Sequence, residues 1–136
     1  MLIARIPGKL EVVWREDVKA VVDTWASYSV TLEEFRDAVL VKGVDFAKAH
    51  DGVAWIVDSS QANGVFSHEI QNFIDTQIFN AFLQIGIQYF IAITSRINPV
   101  TKMTVKTYSA KVESHGLHLV EVESLDEAVA WLKAHV

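Results

Sequence analysis

The chain contains no cysteine, which excludes a disulfide framework, a thiolate nucleophile and any zinc site built on thiolates. Proline is scarce. Pro7 and Pro99 sit near element boundaries, and neither divides the 136 residues into separate units. No apolar run approaches the length that spans a bilayer, so no stable membrane insertion is expected. The first residues, Met1-Leu2-Ile3-Ala4-Arg5, lack the flanks of a secretion signal, and a cytoplasmic location is the default expectation. Bases are in the minority, 12 against 17 acids, giving a net charge of −5. That balance argues against nucleic-acid binding, which is driven by phosphate neutralisation. Acids are in turn missing between Asp75 and Glu113, where Arg96, Lys102, Lys106 and Lys111 fall. A local basic region on an acidic protein is the consequence. A Gly-x-Ser-x-Gly elbow is also absent, so no serine-hydrolase chemistry is indicated.

What is present is apolar. Hydrophobic residues make up 51 % and charged ones 21 %, the balance of one folded domain over residues 1–136. A mean hydropathy of +0.23 leaves apolar surface for a partner or a second copy. Leu2 to Ile6 predicts a short strand closed by the turn signal Pro7-Gly8. Leu10-Glu11-Val12-Val13-Trp14 and Val21-Val22-Asp23-Thr24-Trp25 are β-branched and aromatic, and predict an antiparallel hairpin. Thr31-Leu32-Glu33-Glu34 is a capping box that opens a long helix. Gly43 inside that helix points to close packing. Val53 to Val57 is the continuous apolar run of a strand covered on both faces.

A second helix follows from Ser67, with Ile70, Phe73, Ile74, Ile78, Ala81, Phe82 and Ile85 spaced by three and four. Phe79 and Leu83 fall beside that stripe and are the candidate contact surface. Tyr89 to Ile93 predicts another strand, Thr101 to Val112 a helix, Leu117 to Val122 a last strand, and Ser124-Leu125-Asp126-Glu127 a capped last helix. Strands first, then alternation, predicts an α/β fold. It is a mixed sheet with an N-terminal antiparallel hairpin, then parallel strands, flanked by about four helices.

Candidate site residues gather where strands end. Asp58, Ser59 and Ser60 follow one strand; Ser95 and Arg96 follow its predicted parallel neighbour, at the same carboxyl edge. Arg96 with Lys102 suits an anion such as a phosphate or carboxylate. Plain turn chemistry accounts equally for Asp58 and better for the serines, and a solvated helix face accounts for the lysines. Ser67 fits a helix N-cap, which by itself explains a serine there. His115 and His118 have metal-like spacing but no third ligand nearby, so no metal site is expected. No cofactor is indicated.

The order of these features resembles a known family. The chain has a hairpin before Thr31-Leu32-Glu33-Glu34-Phe35-Arg36, a strand ending in Asp58, Ile85-Gly86-Ile87 before the next strand, and a terminal Ser124-Leu125-Asp126-Glu127-Ala128-Val129-Ala130-Trp131-Leu132. In that order, from about Leu10 onward, it resembles the small bacterial STAS-like proteins, related in fold to anti-sigma-factor antagonists. The resemblance implies a STAS-type fold and a role in regulation or partner binding; with the surplus apolar surface and no catalytic constellation, a non-enzymatic interaction module that binds another protein or self-associates into a homo-oligomer is expected. The resemblance also makes Ser67 a phosphoacceptor candidate, because the antagonists carry a switch serine at the matching helix start. The acid that precedes that serine in the antagonists is Phe66 here. The alternative expectation is a binder of a small lipid or anionic metabolite at the carboxyl edge of the sheet.

Overall fold

A computed structural model of the chain describes residues 1–94 and 96–136. Six strands form one sheet: β1 (Leu2–Ile6), β2 (Leu10–Arg15), β3 (Ala20–Trp25), β4 (Ala54–Asp58), β5 (Tyr89–Ile93) and β6 (His118–Val122). Their order across the sheet is their order along the chain. β1, β2 and β3 run antiparallel; β3 to β6 are parallel. The mixed α/β sheet expected from the sequence is therefore what the chain forms, with β1 extending the hairpin to three strands.

The helices follow from local chemistry. Helix α1 (residues 32–49) starts where Thr31 Oγ1 accepts from the Glu34 amide at 3.1 Å and Glu34 Oε1 accepts from the Thr31 amide at 2.9 Å. Helix α2 (residues 68–84) starts at Ser67, whose Oγ accepts from the Ile70 amide. Helix α3 (Pro99–Ser109) begins two residues before the predicted start. Asn98 caps it and Pro99 occupies the first turn, where a missing N–H costs nothing. Helix α4 (Leu125–His135) is capped by Ser124. Both long helices contain a π-helical stretch, Arg36–Val44 in α1 and Ile74–Ile78 in α2.

Each parallel connection advances one strand in the same direction. Right-handed crossovers then place α1, α2 and α3 on one face of the sheet. Only α4 covers the other. The first face packs a large aromatic core, with Trp25, Trp55, Phe35, Phe66, Phe79 and Phe82 among its members. The second packs a smaller aliphatic one, in which Ala54, Ile56, Ile91 and Ile93 lie under Ala128, Val129 and Leu132. Strand residues alternate between the two, so β4 sends Trp55 and Val57 to the first face and Ala54 and Ile56 to the second. Gly43 sits where a Cβ would come 2.9 Å from the Trp55 ring, which is the close approach its presence in a helix suggested.

Candidate functional site

The carboxyl edge of the parallel strands divides into two environments, and strand alternation decides which residue enters which. Asp58 ends β4 facing the second side. Its Oδ1 accepts from the amide of Ser60 at 3.0 Å and from the Ser60 hydroxyl at 2.7 Å, which folds the turn. Around it lies an open crevice of about 490 Å³ lined by Ser60, Gln61, Arg96, Glu123 and Glu127 among others. Arg96 adopts φ 59, a left-handed conformation uncommon outside glycine. Ser124 at the crevice wall caps α4 by accepting from the Glu127 amide at 3.1 Å. The positive end of α4 is met there by its own Asp126 and Glu127.

Ser59, one residue on, faces the first side and is buried. Its hydroxyl bonds that of Tyr28, and Tyr28 bonds the Tyr108 hydroxyl at 3.1 Å. Three buried hydroxyls thus satisfy one another at the end of the aromatic core. Burial pushes the Tyr28 phenol up to about 12, and raises that of Tyr108 as well. The sequence grouped Ser59 with an open edge; the structure puts it in the interior.

The other predicted residues scatter. Ser67 is exposed and serves as an N-cap at 3.1 Å from the Ile70 amide. Phe66 before it is buried, stacked on Tyr28 at 4.0 Å and edge-on to Trp25 at 5.1 Å. An aromatic there anchors the loop in the core, a role an acid could not fill. Asp58 and Arg96 share the crevice. Lys102 does not reach it: it lines a separate groove with Lys106, Thr94 and Glu121. Arg96 and the Lys102–Lys106 pair, grouped in the sequence as a candidate anion site, line two separate recesses. Ser95 lies outside the described residues.

Phe79 requires correction as a contact-surface candidate. It is fully buried, 5.6 Å from Phe90 and 5.5 Å from His115 between ring centres, and cannot line a docking surface. Its neighbour Leu83 is 39 % exposed. The reason is the π stretch Ile74–Ile78. An extra residue in a turn rotates everything after it by about 100°. The buried stripe keeps Ile70, Ile74, Ile78 and Phe82 and takes in Phe79, while Phe73, Ala81 and Ile85 are only half-buried. His115 ends a short 3-10 turn, Glu113–His115, and its Nε2 lies 2.7 Å from Asp75 Oδ1. His118 faces Trp131 instead of a metal, and no group of three metal-ligating residues occurs among the described residues.

One polar residue went unsuspected. Asp23 lies in β3, 3 % exposed, on the aromatic side. Its Oδ2 accepts from Trp55 Nε1 at 2.9 Å, and its Oδ1 has no partner among the described residues. Burial pushes the carboxyl up to about 7, against the opposing pull of the Trp55 bond. The signal was available: Val21, Asp23 and Trp25 share one face of a strand, so an inward Trp25 makes Asp23 inward too.

No helix among the described residues is long and apolar enough to cross a membrane. No family model, curated protein or solved structure matches the chain.

Proposed function

We propose that the protein is a non-enzymatic interaction module of STAS type, docking another protein or a second copy of itself where α2 and α3 begin. One observation carries this reading. Val65, Val100 and Met103 are 47 %, 60 % and 71 % exposed, and the Thr101 hydroxyl, donating to the Gly64 carbonyl at 2.8 Å, ties their two segments together. Val100 and Met103 are three apart on α3 and share its outer side. Exposed apolar side chains gathered beside a capped helix start are what a partner surface uses. The same segment carries Ser67, so the position the family resemblance singles out borders this patch.

The test is the double variant Val100→Asp, Met103→Asp. Both residues are exposed, so thermal stability is expected to hold within a few degrees. Association, read by native mass spectrometry of protein taken from its host, is expected to fall by at least about tenfold. An assembly that survives both charges, or a wild-type chain that is strictly monomeric and partner-free, overturns the reading.

The crevice of about 490 Å³ supports a second reading, a binder of a small anionic metabolite, because its size falls in the usual ligand range and Arg96 is among its lining residues. Arg96→Ala is then expected to abolish saturable binding of an anion such as inorganic phosphate. Binding unaffected by that change, or no binding, sinks it.

A further inference from the structure

The unpartnered Asp23 carboxyl oxygen is the least explained group in the molecule. Buried polar atoms are nearly always bonded, and each exception asks for a reason. Asp23 lines a cavity of about 30 Å³ in the aromatic core. Among the described residues no cation lines it. The lining contains no Lys, Arg or His, and the titratable groups around it are the Tyr28 and Tyr108 phenols, with Asp58 acting on Tyr28 from further away. The helices around the cavity contribute Phe35 and Val39 from α1, Ile74, Ile78, Phe79 and Phe82 from α2, and Tyr108 from α3, whose phenol already bonds Tyr28. A buried acid with one indole bond and an open lone-pair side is a cost to the fold. An apolar residue at position 23 would remove it.

A second observation, independent of the carboxyl, marks the same place. Val39 belongs to the π stretch of α1, and Ile74 and Ile78 bound the π stretch of α2. Both long helices thus leave α-helical geometry where they cover Asp23. π-helical turns are rare and concentrate at functional sites.

We propose that this cavity is a binding site for a small, mostly apolar molecule whose single polar group, an O–H or N–H, donates to Asp23 Oδ1. The aromatic walls supply the apolar contact and favour a cationic head over a neutral one of the same size. The cavity equals about the volume one water occupies in the liquid. It accommodates the donating head directly, and residues of the two π stretches, Val39, Ile74 and Ile78, line the space against which the guest's body packs. This site is distinct from both the docking patch and the edge crevice, and its fate does not depend on theirs.

Three soluble probes of four heavy atoms each test it: 1-propanol and propylamine, which donate, and acetone, which only accepts. The readout is the methyl NMR signals of Val39, Ile74 and Ile78 during titration. Above about pH 8, where Asp23 is ionised and Oδ1 accepts, both donors are expected to shift these signals saturably, and acetone to shift them weakly and linearly. Asp23→Asn is expected to weaken donor binding by at least about tenfold. Val39→Phe, which fills the cavity and leaves the acid in place, is expected to abolish it. The two donor classes separate by pH. Propylamine binding tightens more than 1-propanol binding as Asp23 ionises towards and above about pH 7. Equal response to acetone, a linear response to all three, or unchanged affinity in Asp23→Asn overturns the proposal and leaves a cavity that holds water alone.

Discussion

The two faces of the sheet solve the same problem with different materials. The second face is covered by one helix of 11 residues, and its core is Ala, Val, Ile and Leu. The first is covered by three helices, and its core is aromatic, with an acid and three hydroxyls inside. An aliphatic core stabilises with no titratable group and no direction-dependent bond. An aromatic core with interior polar atoms is stabilised only while each polar atom is satisfied. The second face therefore behaves as structural filling, and the first carries chemistry that stability alone does not call for.

The largest expected effect tests that contrast through pH. Asp23 has its folded-state carboxyl raised to about 7 against an ordinary value of 3.8. For an acid so shifted, the unfolded chain ionises first. Its contribution is neutral below about pH 4, stability falls as pH rises to about 7, and the loss then levels off. The full loss is roughly 4 kcal/mol. Urea unfolding of the wild type across this range should show the decline, and Asp23→Asn should flatten it. A wild-type profile already flat between pH 4 and 7 would place ionised Asp23 in a solvated setting and break the contrast between the faces.

Next comes the thin face. Leu132 is 1 % exposed and is one of the few α4 side chains inserted into its core. Leu132→Ala is expected to cost about 3 kcal/mol in chemical denaturation, with no change in the pH profile. A pH-dependent loss would mean the two cores are coupled through the sheet.

Gly43→Ala probes how tightly the first face closes. The new methyl would meet the Trp55 ring at 2.9 Å. Helix propensity favours alanine by about 1 kcal/mol, while forced displacement of a packed ring costs about 1–3 kcal/mol. A net loss near 1 kcal/mol is expected, with altered Trp fluorescence, because Trp55 also holds Asp23. A net gain in stability would show that α1 can shift without disturbing the indole, and that the first face is looser than its packing implies.

The sequence made the sheet legible because its signals are periodic and local. The capping box at Thr31, the N-cap at Ser124, the Pro7-Gly8 turn and the unbroken Val53–Val57 run each specify an element by short-range chemistry. The site was less legible for two reasons. A π stretch has no composition signature, so the stripe on α2 loses phase at Ile74–Ile78 and Phe79 is read as exposed. The interior hydroxyl set is assembled from residues 31 and 80 positions apart, Tyr28 with Ser59 and Tyr28 with Tyr108, which no window along the chain brings together. Asp58 and Arg96 were placed at a common edge because parallel strands fix it. Lys102 was not, because an α3 side chain answers to helix phase and not to strand register.

The smallest effect separates structure from function at Ser67, where the loop off the first face enters α2. As an N-cap, its hydroxyl accepts from the Ile70 amide, and Ser67→Ala should cost about 1 kcal/mol of stability. Ser67→Asp keeps an acceptor that caps as well as serine and adds a charge favoured at a helix start, so its melting temperature should match or slightly exceed the wild type. The two substitutions thus move stability in different directions while both remove the hydroxyl. Association is measured separately on both. If Ser67 is a cap and nothing more, association is unchanged in Asp and weakened in Ala only as far as the fold is. If Ser67 also borders the partner, the Asp variant changes association at full stability, because its charge enters an apolar patch that includes Val65.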